Sequence, residues 1–168
     1  IYVLGEDKQS IVSKVKTGLN SFKDIRLPIS EHSVAGYVAA TRKAVNIEDV
    51  YDDVELKSYS PSMQFLKEVD KRTGYRSKQM LVAPILDAQS NELLGVVQFI
   101  NNRLDGVFPP LADEGILSLA QTLAIAFSQR MKPRQGVRSK YDALVTDAVI
   151  SADELDLAQR SARRKSVD

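Results

Sequence analysis

Two long apolar runs that follow each other directly place the strongest constraint on how this chain folds. The first, "QMLVAPIL", ends at Leu86, and the second, "ELLGVVQFIN", starts at Glu92. The five residues between them, "DAQSN", are turn formers, and their number is typical of a hairpin loop. Because both runs are apolar throughout rather than at alternate positions, we expect two paired strands at the buried centre of a sheet.

The segments around this hairpin predict further strands and helices of ordinary length. In chain order, they predict a hairpin over residues 1–15, strands at 25–29 and 45–47, and helices that begin at Ser33 and at Ser62, the second ending at Gly74. Residues 48–61 indicate an irregular or helical stretch. This order favours an antiparallel sheet with helices packed against it, which is an α+β fold.

A long amphipathic helix is predicted from Ala112 to Met131. Its first turn carries Asp113 and Glu114, which suit a helix N-terminus. The apolar stripe consists of Ile116, Leu119, Leu123, Phe127 and Met131, and it is widened by Leu117, Ala120 and Ala124. Such a stripe is more often core than partner surface, but a helix of this length outruns its own sheet. We therefore expect its free end to contact a second copy of the chain in a homodimer.

Composition narrows the possible function classes. The 168 residues include no cysteine, which excludes disulfides, thiolate metal sites and cysteine nucleophiles. The net charge is +1, and no apolar run approaches the roughly 20 residues that span a bilayer. The first residues also lack the order of a signal peptide. We expect a cytoplasmic protein that has neither nucleic acid nor membrane as a partner.

A basic segment at residues 132–138 divides the chain. It contains Pro and Gly and has no apolar periodicity, as is typical of a linker. The sheet and its helices occupy residues 1–131. Residues 139–168 predict two short helices, with Ser151 as a cap of the second, but too little apolar surface for a separate core. They are expected to form a helical extension that begins a following domain.

Four stretches together carry a family resemblance. They are "HSVAGYVAATRKAVNIEDVYDD", "DKRTGYRSKQMLVAPI", "LLGVVQFINN" and "FPPLADEG". In order and spacing they resemble GAF domains, most closely those of cyclic-nucleotide phosphodiesterases and adenylate cyclases. The resemblance covers residues 1–131. It implies a six-stranded antiparallel sheet with helices on both sides, a small-molecule pocket under short helices and loops, and dimerisation through terminal helices. It also implies that the family's first helix and first strand are missing here.

The resemblance further implies which residues bind a ligand. The matching positions are Val34, Ala35, Asp70, Thr73, Ser77 and Gln98. Hydroxyl, carboxylate and amide groups provide the donors and acceptors that a purine edge requires, and amide protons or hydroxyls suit a cyclic phosphate. A structural interpretation stays open beside this one, because Gly74 also ends a helix and the charges around it are also typical of a solvated surface.

The sequence departs from the family at two motifs. Members that bind cyclic nucleotides often have Phe-Asp after an early strand, where this chain has Lys16 and Thr17. A later family signature has Asn102 in place of lysine and one extra residue between Phe108 and Asp113. The predicted ligand is therefore a small molecule, with cyclic AMP and cyclic GMP as candidates. The alternative is a dimerisation or scaffold domain without a ligand.

No pattern in the chain indicates catalysis. A phosphate-binding GxxxxGK[ST] loop is absent, and the single histidine, His32, has only Glu31 beside it. Two pairs of neighbouring acidic residues occur, Glu48/Asp49 and Asp52/Asp53, and both are typical of solvated loop charges. We predict that the chain itself is not an enzyme and that it has no cofactor and no metal site.

Residues 139–168 carry a second resemblance. The stretch "YDALVTDAVISADELDLAQRSARRKSVD" resembles the start of the N-terminal domain of type II secretion and type IV pilus assembly ATPases. This implies a GAF domain ahead of such an ATPase. Ligand binding would then shift the arrangement of the roof, residues 31–77, and the terminal helix would carry that change to the ATPase.

Overall fold

A single antiparallel sheet of six strands organises the computed structural model of the chain, which describes residues 1–16, 22–103 and 105–131. The strands are β1 (Tyr2–Leu4), β2 (Ser10–Lys16), β3 (Phe22–Pro28), β4 (Val45–Ile47), β5 (Met80–Leu86) and β6 (Leu93–Ile100). The helices are α1 (Val34–Thr41), α2 (Asp53–Tyr59), α3 (Lys67–Thr73) and α4 (Pro110–Met131). The linker and the helical extension predicted for residues 132–168 lie outside the described residues.

The predicted central hairpin is present. The strand order is β3-β2-β1-β6-β5-β4, and β5 pairs with β6 from Met80 opposite Ile100 to Leu86 opposite Leu93. The Asp87 carboxylate closes the turn by accepting hydrogen bonds from the backbone amides of Gln89 and Ser90, each at 2.9 Å. An aspartate that binds the amide two residues on is a common turn former, so local chemistry explains the hairpin.

The first hairpin is also present, and its first strand completes the sheet. The tripeptide β1 pairs with β2 on one side and with β6 on the other, with Val3 opposite both Val12 and Gly95. The described residues thus supply six strands, the number that the resemblance implies, although we expected the first one to be missing. A three-residue strand is sufficient because neighbours on both edges hold it.

Helices cover both faces of the sheet, as predicted for this α+β fold. On one face, Met80 and Val82 pack with buried residues of α1 and α2. On the other face, Leu81 and Ala83 pack with α4. The alternation follows from the two-residue period of a strand, which sends neighbouring side chains to opposite faces. Both faces of β5 are therefore core, which explains its continuous apolar sequence.

Helix α4 uses a narrower stripe than the sequence predicted. The buried side chains are Ile116, Ala120, Ala124 and Phe127. The predicted leucines Leu119 and Leu123 are only partly buried and lie at the edge of the contact. Because alanine is small, it lets the helix axis approach the sheet closely, and the larger side chains are then displaced to the flanks.

Helix α3 starts later than predicted. It begins at Lys67 rather than near Ser62, because residues 60–66 form a loop with its own long-range contacts. The Gln64 amide donates to the His32 carbonyl at 2.9 Å, and Met63 is almost fully buried. Tertiary contacts at this point override the local helical pattern.

No helix within residues 1–16, 22–103 and 105–131 is both long and apolar enough to cross a membrane.

Candidate functional site

A cavity of about 70 Å³ lies between the roof, residues 31–77, and the sheet beneath it. The floor consists of Tyr2, Leu27, Met80, Gln98 and Ile100. The roof contributes Ser33, Val34, Ala35, Gln64, Phe65, Leu66, Val69, Asp70 and Ser77. Ligand pockets usually enclose about 300–1,000 Å³, so the space under the roof is narrow in this structure. A ligand as large as a nucleotide requires the roof to move outward.

The mouth of the cavity is apolar. Leu66 and Ile100 both line the cavity, and their exposed fractions are 42% and 41%. Solvent-exposed aliphatic side chains at a cavity entrance favour contact with an apolar or aromatic surface. Among the described residues, no three His, Asp or Glu side chains form a group that could hold a metal ion.

One wall of the cavity is the N-terminus of α1. Ser33 caps the helix by accepting a hydrogen bond from the Gly36 amide at 3.0 Å, and Val34 and Ala35 are buried beside it. Both predicted residues therefore lie at the cavity wall. The first turn of a helix has amide protons without intrahelical partners and a positive dipole end, which suits a negatively charged or acceptor group.

Glycine at position 36 permits this arrangement. A Cβ atom there would lie 2.6 Å from the Ser30 carbonyl oxygen and 2.7 Å from the Pro28 carbonyl oxygen. Any larger residue would push α1 away from the end of β3. The small residue thus determines where the helix N-terminus meets the cavity.

Asp70 and Ser77, two of the predicted ligand residues, lie together at the opposite wall. The buried Asp70 carboxylate accepts hydrogen bonds from the Ser77 amide, the Ser77 hydroxyl and the Tyr51 hydroxyl, each at 2.8 Å. We call Asp70, Ser77 and Tyr51 the Asp70 cluster. It ties the loop before α2, helix α3 and the segment before β5 to one another, so these polar side chains serve the roof as well as lining the cavity.

Two cations cover the Tyr51 ring. The Arg76 guanidinium carbon lies 3.8 Å from the ring centroid, and the Lys67 Nζ lies 5.0 Å from it. Arg76 also approaches the Asp49 carboxylate at 3.7 Å. The hydrogen bond to Asp70 is the main cause that raises the pKa of Tyr51, with burial of the hydroxyl second. The phenol is therefore held in its neutral, donating form.

Thr73 and Gly74 end helix α3. Gly74 has a φ of 69°, and its amide donates to the Asp70 carbonyl at 2.9 Å. This is the left-handed cap for which glycine is preferred, so the helix stop read from the sequence is present. The side chain of Thr73 lies outside the described part of the chain, and its predicted contact with a ligand stays a prediction.

Gln98 lies in the floor of the cavity, on β6. It is partly exposed, sits opposite Val82 of β5, and lines the cavity floor together with Tyr2 of β1. Burial raises the pKa of the Tyr2 hydroxyl, and the nearby Gln98 amide acts in the opposite direction. Of the six predicted residues, the cavity lining includes Val34, Ala35, Asp70, Ser77 and Gln98.

Several lining residues were missed by sequence reasoning. Tyr2 was assigned to a hairpin strand without a role, and Gln64, Phe65 and Leu66 were assigned to a helix. Because side chains along a strand point alternately to the two faces of the sheet, the pattern of β1 could have indicated that Tyr2 faces the core. No local signal distinguishes the other three, because only the fold of the roof brings them over the sheet.

Asn101 connects the end of β6 to the segment before β5. Its Nδ2 donates to the Arg76 carbonyl at 2.8 Å, and its Oδ1 accepts from the Lys78 amide at 2.6 Å. Asn101 has a φ of 58°, a left-handed conformation that asparagine tolerates. This side chain holds the strand entrance next to Ser77 in place and so supports the cavity wall.

Comparison with known proteins identifies the fold family. The family model of the GAF domain matches residues 4–131. A probable 3′,5′-cyclic phosphodiesterase, pde-5 of Caenorhabditis elegans, is 30% identical over 148 residues, which cover 84% of this chain and 18% of that protein. The dual 3′,5′-cyclic-AMP and -GMP phosphodiesterase 11A of Takifugu rubripes is 32% identical over 122 residues, covering 67% of this chain and 12% of that protein.

Solved structures agree with this assignment at the level of fold. The GAF domain of an Acinetobacter phosphoenolpyruvate-protein phosphotransferase superposes with a TM-score of 0.52 at 18% identity, covering 76% of this chain and 68% of that one. A methyl-accepting chemotaxis protein fragment gives a TM-score of 0.53 at 18% identity, covering 76% of this chain and 75% of that one. The chain spans less than a fifth of the curated phosphodiesterases that it matches. With a family model that spans most of the chain and a sheet of the expected order, this chain belongs to the GAF domain family.

Proposed function

We propose that this GAF domain is a non-enzymatic regulatory module that binds a small molecule in the cavity under its roof, with a cyclic nucleotide as the ligand. The observation that carries the proposal is the cavity itself, where apolar walls surround a few convergent polar groups from the N-terminus of α1, from α3, from the segment before β5 and from β6. Pockets of this composition usually bind organic ligands, the polar groups setting their orientation. The phosphodiesterase relatives act on cyclic nucleotides, as their names state, which supports the choice of ligand.

The cavity offers a chemical partner for each part of such a ligand. The purine would lie between Val34 or Ala35 and the apolar mouth, with its edge toward Gln98. The cyclic phosphate would approach the first-turn amides of α1, where the helix dipole favours an anion. Asp70 and Ser77 would contact the ligand only after part of the Asp70 cluster has rearranged, because each now bonds the other.

Ligand binding would act through the roof by a population shift. The present narrow cavity of about 70 Å³ and a wider, ligand-bound arrangement are the two states, and a ligand that binds the wider one better raises its population. Loop 60–66 contributes Gln64, Phe65 and Leu66 to the lining and joins α2 to α3, so its displacement is the expected opening motion.

We further propose that the module works in the cytoplasm on a secretion or pilus ATPase attached behind it. The resemblance of residues 139–168 to the start of that ATPase's N-terminal domain supports this. Helix α4 would connect the two and take part in a homodimer. Its exposed apolar side chains Leu117 and Ile125, 50% and 60% accessible, support a partner on that face.

Isothermal titration calorimetry with cyclic AMP and cyclic GMP tests the ligand. We expect one of the two nucleotides to bind in the micromolar range, and Ser77→Ala to weaken it. Tyr59→Phe is a matched control, since Tyr59 bonds the Asn46 carbonyl and does not line the cavity. If neither nucleotide binds at millimolar concentration, and Ser77→Ala changes no ligand response, the ligand is not a cyclic nucleotide.

A second candidate function is a dimerisation or scaffold domain without a ligand. The small volume of the cavity favours it, because 70 Å³ lies well below the usual range for ligand pockets. Light scattering of the wild type and of Leu117→Glu/Ile125→Glu distinguishes the two functions. A scaffold is a stable dimer whose melting temperature no small molecule raises, whereas a sensor is stabilised by its ligand in either oligomeric state.

A further inference from the structure

We infer that one part of the roof, residues 45–59, transmits the state of the cavity to helix α4. This part consists of β4, α2 and the turn between them, and we call it the β4–α2 unit. Its Tyr51 hydroxyl contacts the cavity wall, and its Asn46 side chain is a positioning residue that holds the start of α4. The inference rests on the proposed binding function and names the contacts through which an occupied cavity would change α4.

Hydrogen bonds within the β4–α2 unit join its strand end to its helix. The Glu55 carboxylate of α2 accepts from the backbone amides of Glu48 and Asp49, at 2.9 and 3.0 Å. Asp52 caps the same helix by accepting from the Val54 amide at 2.9 Å. Hydrogen bonds to an ionised acceptor are stronger than those between neutral groups. A displacement at one end of the unit is therefore expected to move the other end with it.

Tyr51 connects the β4–α2 unit to the cavity wall. It directly precedes Asp52, the cap of α2, and its hydroxyl donates to the Asp70 carboxylate of α3 at 2.8 Å. The same carboxylate accepts from the amide and the hydroxyl of Ser77. A ligand that contacts Asp70 and Ser77 competes with these hydrogen bonds and so releases Tyr51 from α3. The position of the unit then depends on whether the cavity is occupied.

Asn46 connects the β4–α2 unit to the start of α4. Its neighbours Val45 and Ile47 are buried on the sheet face that α1 and α2 cover, and because side chains alternate, Asn46 points to the other face. Its Nδ2 donates to the Phe108 carbonyl at 2.8 Å, and its Oδ1 accepts from the Phe108 amide at 3.0 Å. These two bonds fix the orientation of the carboxamide, since a half-turn would place donor against donor and acceptor against acceptor.

Phe108 passes this contact on to the helix. It lies two residues before Pro110, where α4 begins, and its side chain is buried in the same cluster as Ile116 of α4. Strand β4 is at the edge of the sheet and pairs with β5 over three residues, so only a short ladder restrains it. We therefore expect a shift of the β4–α2 unit to move the start of α4.

Hydrogen exchange of the Phe108 amide, followed by ¹⁵N–¹H NMR without ligand, measures how often Asn46 releases that amide. Tyr51→Phe detaches the β4–α2 unit from Asp70, so we expect the Phe108 amide to exchange about three- to tenfold faster, the range that one lost hydrogen bond gives. Ser77→Ala is the matched control, because it removes a hydroxyl from the same carboxylate but not from the unit, and the rate should stay within about twofold. The free energy of unfolding of each variant, measured in urea, corrects for exchange through global unfolding.

Asn46→Ala tests the other end of the unit. The Phe108 amide then lacks its acceptor and exchanges fast, and adding Tyr51→Phe should change its rate no further. A rate that Tyr51→Phe leaves unchanged, that Ser77→Ala raises equally, or that Tyr51→Phe still raises in Asn46→Ala would overturn the inference.

A bound nucleotide should have the same effect as Tyr51→Phe. If cyclic AMP or cyclic GMP binds, a saturating concentration should speed exchange of the Phe108 amide in the wild type and not in Tyr51→Phe, and binding without this effect would also overturn the inference. If neither nucleotide binds, the proposed ligand is wrong, and the variants measured without ligand still decide whether the β4–α2 unit couples the cavity wall to α4.

Discussion

Removing the Asp70 carboxylate should loosen the roof more than any other single change in the Asp70 cluster. Asp70→Ala leaves three donors without their acceptor: the Tyr51 hydroxyl, the Ser77 hydroxyl and the Ser77 amide. Tyr51 is half-buried and can turn toward water, whereas Ser77 is only 4% exposed and cannot. Both Ser77 donors therefore remain buried and unsatisfied.

The magnitude follows from those two donors. An unsatisfied buried donor costs about 1–3 kcal/mol, and a hydrogen bond to a charged acceptor contributes about 1.5–3 kcal/mol. We expect Asp70→Ala to lower the free energy of unfolding by about 3–5 kcal/mol. Asp70→Asn keeps the volume and one acceptor oxygen, so about 2 kcal/mol is expected for it. For a domain of this size, each kcal/mol corresponds to about 3–5 °C in Tm.

Urea unfolding followed by tyrosine fluorescence and circular dichroism measures these differences. Asp53→Asn is the control, because Asp53 is an exposed carboxylate in the first turn of α2 and should cost less than about 1 kcal/mol. An Asp70→Ala variant as stable as Asp53→Asn would refute the reasoning, since it would mean that Ser77 and Tyr51 do not depend on Asp70. Ligand titration of Asp70→Asn then reports whether an already loosened roof binds more readily.

Three further predictions concern the packing of the sheet and the ionisation of single side chains. Gly95→Ala should destabilise the fold by more than about 2 kcal/mol, because the added Cβ atom would lie 2.3 Å from the β1 backbone. Gly115→Ala has open space around it in α4 and should stabilise the fold by about 0.5–1 kcal/mol. Thermal unfolding should therefore show a lower Tm for the first variant and a higher Tm for the second. The hydrogen bond from the Ser128 hydroxyl is the main cause that lowers the pKa of Asp87. This contact therefore stabilises the fold fully at pH values above the usual carboxyl pKa. The stabilisation is lost as the pH falls from that value toward the lowered pKa. When Tm is measured from pH 7 to pH 2, Ser128→Ala should melt below the wild type at neutral pH, and this difference should disappear in acid. A difference in Tm that does not depend on pH would contradict the prediction. The raised pKa of Tyr51 has the opposite effect on the pH dependence of stability. Its contribution to the free energy of unfolding is complete below the usual tyrosine pKa of 10 and is lost as the pH rises through the raised value. Tyr51→Phe should therefore lose less stability than the wild type between pH 9 and pH 12.

The elements with local causes could be predicted from the sequence. The β5–β6 hairpin was recognised because its strands are continuously apolar and Asp87 supplies the turn. Gly74 marked the end of α3 because the left-handed conformation there favours glycine. The start of α3 could not be predicted, since loop 60–66 is held by the backbone contact between Gln64 and His32, 32 residues apart in the chain. A helical pattern does not reveal such a contact.

The candidate site shows the same division. Motifs in the sequence were enough to predict the fold family and the polar positions Asp70, Ser77 and Gln98, because their types and order resemble those of the family. Their partners depend on the tertiary fold. Asp70 bonds Ser77 and Tyr51 rather than open solvent, and Gln98 lines the cavity beside Tyr2, which is 96 residues away in the chain. Strand register and helix packing create these contacts over long sequence separations, and residue type alone carries no record of which side chains will meet.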